Sequence, residues 1–175
     1  MSVSPFVFLL LSAINVIWAI GVAQVPDLTQ MYPPLGVSNR LYYISKAKFV
    51  SYAQASTWCS QNLGGYPAEI DTAEELKFIE QYAIFTKVRK IFIAGTDAGK
   101  DGVFLSQRTG APITVFDWAK GEPNNSGGVE DCLELNGNKQ GRMNDTPCSR
   151  ASVFHNVLCE RDLNEEKRQK MKAVP

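Results

Sequence analysis

Four cysteines, Cys59, Cys132, Cys148 and Cys159, govern what this chain can fold into, and their chemistry depends on where the chain is sent. Residues 1–24 carry no charged side chain, and from Pro5 to Ala23 only Ser12 and Asn15 break an apolar run. Gly21, Val22 and Ala23 then stand where a signal peptidase reads small residues. The pattern predicts a secretory signal peptide over residues 1–23 and a mature chain from about Gln24. A membrane anchor is the rival reading, since the run is near the lower length limit for a span. The polar, proline-containing sequence that follows at once favours cleavage. In an oxidising compartment the four cysteines are expected to form two disulfides. Three pairings are open. A nested one, Cys132 with Cys148 and Cys59 with Cys159, is the most economical, because it closes a short loop inside a long one. Loop-closure entropy gives about 3 kcal/mol for the inner bond and up to about 5 for the outer. No CxxC pair occurs, which argues against a zinc quartet.

The remaining composition narrows the class. A chain of 175 residues fits one domain with attachments, and 45% hydrophobic residues suffice for a core. Eighteen basic residues balance eighteen acidic ones, so no positive excess points to nucleic acid. The single histidine, His155, excludes a site built from several histidines.

Along the chain, residues 24–40 hold three prolines and no periodicity and read as a linker. Residues 41–44 are β-like. Ser51 to Leu63 has helical spacing, with Ala55, Trp58, Cys59 and Leu63 on one face and Gly64-Gly65 as the stop. Thr72 to Glu75 is a capping box, followed by Leu76, Ile79 and Ala83 at helical spacing. Ile91 to Ala94 reads as a buried strand. From Gly95 to Glu130, seven glycines and two prolines leave only brief apolar runs. So long an irregular stretch in a compact domain is expected to be functional. Short strands follow at residues 132–135, 142–144 and 152–160. Residues 162–175 form a charged tail, read as solvated. The aromatics Tyr52, Trp58, Phe78 and Tyr82 are expected in the core.

Between Glu122 and Asp145 lie five acids, Glu122, Glu130, Asp131, Glu134 and Asp145, against Lys139 and Arg142, with Asn124, Asn125 and Asn144 among them. Crowded carboxylates repel one another unless solvated apart or joined by a cation. Ca²⁺ takes six to eight oxygens and tolerates the irregular geometry of loops. The spacing does not match an EF-hand.

In order, Trp58-Cys59, Ala94-Gly95-Thr96-Asp97, Trp118, Glu122-Pro123-Asn124, Glu130-Asp131-Cys132, Asn144-Asp145, Cys148 and Cys159-Glu160 resemble the C-type lectin domain family. The resemblance spans residues 41–161 and is nearest to the small secreted lectins of insects. It implies an α+β fold with two helices, antiparallel strands and a long calcium-binding loop, and it implies the nested disulfides. It further implies a cis-proline at Pro123 and a principal calcium site of Glu122, Asn124, Glu130, Asn144 and Asp145. The same five side chains would hydrogen-bond two vicinal hydroxyls of a sugar, and the EPN motif goes with mannose-type glycans. An auxiliary calcium set would comprise Asp97, Asp101, Asn125, Glu130 and Asp131. Two departures, Asn125 for the usual aspartate and Asp101 for the usual glutamate, weaken that set. Further departures are Ile91 to Ala94, which lacks the usual tryptophan, and Met143, which stands in the tryptophan position before Asn144-Asp145. Both are read as core replacements.

These features predict a secreted, calcium-dependent binder of glycans or glycoproteins, without enzymatic activity, nucleic-acid partner or membrane span after signal removal. Its rival is a calcium-independent lectin-like module that binds a protein. His155, with alternating apolar neighbours, is read as structural. A glycosidase pair such as Glu122 with Glu130 is disfavoured, because carboxylates clamped on calcium do not readily take up a proton. Asn124-Asn125-Ser126 and Asn144-Asp145-Thr146 match the N-glycosylation pattern, each beginning at a candidate calcium ligand. Neither is expected to be used, since calcium-assisted folding would engage both amides.

Overall fold

A computed structural model describes residues 35–37 and 39–163. The predicted signal peptide, most of the predicted linker and nearly all of the tail lie outside the described residues. Seven strands form one sheet: β1 (Leu35–Val37), β2 (Arg40–Ile44), β3 (Tyr66–Pro67), β4 (Lys90–Thr96), β5 (Cys132–Asn136), β6 (Arg142–Thr146) and β7 (Asn156–Asp162). Their order is β1-β2-β7-β4-β5-β6, with β3 pairing on β7. All neighbours are antiparallel except β4 and β7, which run parallel through Ile91–Asn156 and Phe92–Val157. β1 falls inside the stretch read as linker. Its backbone pairs with β2 through Leu35–Tyr42, and no periodicity announces so short a strand.

β4 is buried along its length because both faces of the sheet are covered. Ile91 and Ile93 point into a core with Leu76, Ile79 and Ala83 of helix α2 (Ala73–Thr86). Phe92 points the other way, with Ala55, Cys59 and Leu63 of helix α1 (Tyr52–Leu63). Both helices start as expected. The Ser51 hydroxyl accepts from the Gln54 N–H, and Thr72 with Glu75 closes a reciprocal capping box. Gly64 ends α1 at φ 60°, whereas α2 ends on a left-handed Lys87, φ 57°.

Cys59 is bonded to Cys159, tying α1 to β7, and Cys132 to Cys148, tying β5 to the segment after β6. Gly95 closes β4 where the β4–β5 register shifts. Its φ is 142°, and a Cβ there would lie 2.3 Å from Leu133. Two expectations need correction. Phe78 is 54% exposed, because it stands on the outer face of α2 while Leu76, Ile79, Tyr82 and Ala83 take the inner one. The strand expected over 152–160 begins only at Asn156, since residues 151–152 form a turn after the inner disulfide. No helix among the described residues is long and apolar enough to cross a membrane.

Candidate functional site

The irregular stretch between β4 and β5 is held by its aromatics. Phe104, Phe116 and Trp118 pack together, Phe116 and Trp118 stacked with centroids 5.1 Å apart, against the α2 side of the core. The Met143 N–H donates to the Asp117 carbonyl, and the Ala119 N–H to the Met143 carbonyl, which fastens the loop to β6. Met143 is buried in this core, as its apolar character suggested. The loop is thus fixed just before Glu122, and β6 presents Asn144 and Asp145 just after Met143.

The Glu122–Pro123 peptide is cis. Beyond it, the buried Asp145 carboxylate accepts from the Asn124 N–H at 3.1 Å and from the Asn125 N–H at 2.6 Å. One carboxylate therefore pins the backbone that carries the motif. The Asn124 amide donates to Glu122 Oε2. Glu130 joins through the turn, its N–H donating to Asn125 Oδ1 and its Oε2 accepting from the Ser126 N–H. Burial, and then the neighbouring Asp145, Glu122 and Glu134 carboxylates, push the Glu130 carboxyl up. Glu122, Asn124, Glu130, Asn144 and Asp145 therefore share one neighbourhood. Among the described residues, no three acidic, histidine or cysteine side chains converge closely enough to hold a metal as they stand.

The residues of the second set also lie side by side. The Asn125 amide donates to Asp101 Oδ1 at 2.8 Å, and the Asp97 N–H to the Asp131 carbonyl at 3.2 Å. Asp97 Oδ2 accepts from the Gly102 N–H, but Asp97 Oδ1 is buried without a hydrogen bond. Burial is the main cause that raises the Asp97 carboxyl, with Asp101 and Asp131 adding to it. A buried, partnerless carboxylate oxygen beside two other acids is what a hard cation satisfies. The all-oxygen donor chemistry of both sets fits Ca²⁺.

Two features were not foreseen. Lys139, in the turn of the β5–β6 hairpin, lies 2.5 Å from Glu122 Oε1 and 3.3 Å from Asn144 Oδ1. The sequence shows it only as one of two basic residues among five acids. A hairpin whose strands pair Asn136 with Arg142 is the signal that could have folded it back. Glu134, counted among the loop acids, is 0% exposed. It meets Lys90 at 3.1 Å, His155 Nε2 at 2.7 Å and the Asn144 amide at 3.2 Å. His155 is buried and stacked on Phe92 with ring centroids 4.0 Å apart, a structural position. Glu134 therefore supports Asn144 from below. Of the two acceptor asparagines, Asn124 is exposed, whereas Asn144 is buried with its amide engaged.

The disulfide-tied sheet, its two helices and the long oxygen-presenting loop define a carbohydrate-recognition domain of lectin type. The family model described as Lectin C-type domain matches residues 48–161. C-type lectin 37Db of Drosophila melanogaster is 33% identical over 121 residues, 69% of this chain and 78% of that protein. The cow carbohydrate-recognition domain of CD23, solved in the presence of a GlcNAc2Man3 oligosaccharide, superposes with a TM-score of 0.63 at 27% identity, covering 75% of this chain and 94% of that one. A calcium-independent type II antifreeze protein shares the fold, with a TM-score of 0.59 at 20% identity over 75% of this chain and 95% of that one. The chain belongs to the C-type lectin domain family.

Proposed function

We propose that the chain is a secreted, calcium-dependent lectin with a preference for mannose-type glycans. One observation carries this reading: Asp145 binds the backbone of Asn124 and Asn125 directly after a cis Glu122–Pro123 bond. That contact draws the two halves of the expected ligand set together from positions twenty residues apart in sequence. Glu122, Asn124, Glu130, Asn144 and Asp145 would hold the principal ion, and Asp97, Asp101, Asn125, Glu130 and Asp131 the auxiliary one. Calcium supplies a Lewis-acidic centre for two vicinal sugar hydroxyls. The carboxylates accept hydrogen bonds from those hydroxyls, and the Asn124 and Asn144 amides donate to them. The buried Glu134 keeps Asn144 from turning away. Trp118 and Phe116 hold the loop against thermal drift.

The test is retention on immobilised mannose with and without a chelator. Retention that chelator abolishes is expected, and Glu122→Gln with Asn124→Asp should move preference toward galactose. A wild type that already prefers galactose would overturn the sugar assignment. A second reading has its own observation. The Lys139 ammonium already bridges Glu122 and Asn144, as a resident cation would in a calcium-independent relative of this fold. Mannose retention unchanged by chelator would favour it. On either reading the folded site buries Asn144 and engages the Asn124 amide with Glu122, so a single intact mass before and after enzymatic deglycosylation is expected.

A further inference from the structure

At the β4 N-terminal end of the sheet, four separate segments converge on an open groove of about 540 Å³. Lys46 and Lys48 follow β2, Lys87 ends α2, and Arg89 and Lys90 lead into β4. Among the described residues, no acidic side chain lines it. Lys90 is paired with the buried Glu134, whereas Lys46, Lys48, Lys87 and Arg89 make no ion pair among the described residues. In a chain with eighteen basic and eighteen acidic residues, this is strong local segregation of charge. Four unpaired cations on one concave surface repel one another and lower stability unless an anion or solvent screens them.

A backbone observation points the same way. Lys87 holds φ at 57° at the end of α2, where glycine is favoured because it has no Cβ. Left-handed non-glycine residues gather at functional sites, where the side chain is worth the strain. Here the residue kept in place of glycine adds a cation to the groove. Phe154, 56% exposed, and Asn138 complete the rim. An aromatic face packs on the C–H face of a sugar ring, and an amide bonds hydroxyls. A single exposed ring offers little for stacking successive bases, and the neutral net charge gives no long-range pull on a nucleic acid. Asn138 also lines the smaller groove that contains Lys139, so the surface continues toward Glu122.

We propose that this groove is a second, calcium-independent site that binds the sulfate groups of an acidic glycan. Lys46, Lys48, Lys87 and Arg89 supply charge to the sulfates, Asn138 bonds ring hydroxyls, and Phe154 supports the sugar face. The site does not depend on the calcium reading, because none of these residues belongs to either calcium set.

The test uses the mature chain in chelator, which silences the calcium site whether or not it exists. A heparin-derived octasaccharide is titrated beside its desulfated, N-acetylated counterpart and beside single-stranded DNA of matched charge. Binding of the sulfated probe alone is expected, with an affinity that falls steeply as salt rises through about 150 mM. Lys46→Glu with Lys48→Glu should weaken it about tenfold or more, against less than about twofold for Lys77→Glu with Lys100→Glu, which changes net charge equally. All four lysines are exposed, so folding should be kept. Lys87→Gly should raise the unfolding temperature and still weaken binding. Amide resonances supply a measurement independent of variants, with shifts expected at residues 46–48, 87–90 and 138. No binding in chelator, equal binding of the desulfated probe, tighter binding of DNA, equal loss in both charge-reversal pairs, or shifts confined elsewhere would each overturn the proposal.

Discussion

Lys139 is the residue whose role in the site was hardest to see in advance. An ammonium 2.5 Å from Glu122 and 3.3 Å from Asn144 neutralises oxygens that otherwise repel. It also competes with any divalent ion for those oxygens, and must swing away before the ion enters. The side chain is 40% exposed, so solvent screens the pair and the competition is modest. Lys139→Met should therefore raise calcium affinity about three- to tenfold, which is roughly 0.7–1.4 kcal/mol. Calorimetric titration with calcium measures it. Unchanged affinity would mean that the lysine leaves at no cost. Chelator-resistant sugar binding lost in the same variant would mean that the ammonium itself does the ion's work. Its neighbour Glu134 teaches a related lesson. A count of acids along the chain cannot separate loop carboxylates from one turned inward by strand alternation. Cys132, Glu134 and Asn136 share one face of β5, while Leu133 and Leu135 take the other.

At the scale of elements, α2 presses on the β5–β6 hairpin and on the segment before Trp118. A Cβ at Gly141, φ 75°, would lie 2.8 Å from the Glu80 carbonyl, which shows how close the approach is. The Glu80 side chain is buried at this seam, and its Oε1 has no hydrogen-bond partner. Burial first, and the Asp117 carboxylate second, push its carboxyl up to about 7. A folded value above the ordinary 4.5 means that the native state binds the proton more tightly than the unfolded chain. The seam is therefore most favourable below pH about 4.5 and loses stability as pH rises through about 7. Allowing for solvent screening, the loss is about 1–2 kcal/mol. Glu80→Gln, which stays neutral and can still donate to Asp117, should stabilise the protein by about 1 kcal/mol at pH 8 and change little at pH 4.5. Denaturant unfolding at the two pH values decides it, and equal effects at both would remove the carboxyl from the account.

For the molecule as a whole, what the sequence disclosed was local or covalent. Ser51, Gly64 and the Thr72–Glu75 box announce both helices because caps act within one turn. The EPN, EDC and ND motifs point to the candidate site through likeness to a family. The parallel β4–β7 pair, the short β1 and the four-segment cation groove depend on contacts between residues far apart in sequence, which no local pattern encodes. The same separation links the two candidate calcium sets to global stability. Burial raises the Asp97 and Glu130 carboxyls in the metal-free fold, so each costs stability at neutral pH that is recovered as pH falls. On the proposed function calcium would reverse that sign, since it would need both groups ionised and would bind only the folded chain. At a calcium concentration of about 100 times Kd the gain is about 2.7 kcal/mol, on the order of 10 °C in Tm for a domain this size. The calcium-induced rise in Tm should thus be large at pH 7.5 and shrink steadily toward pH about 5, as protons displace the ion. Parallel thermal melts with calcium and with chelator across that range measure it. A rise that does not vary with pH would place the ion on groups other than these carboxylates, and no rise at any pH would leave the Lys139-bridged, calcium-independent lectin as the surviving reading.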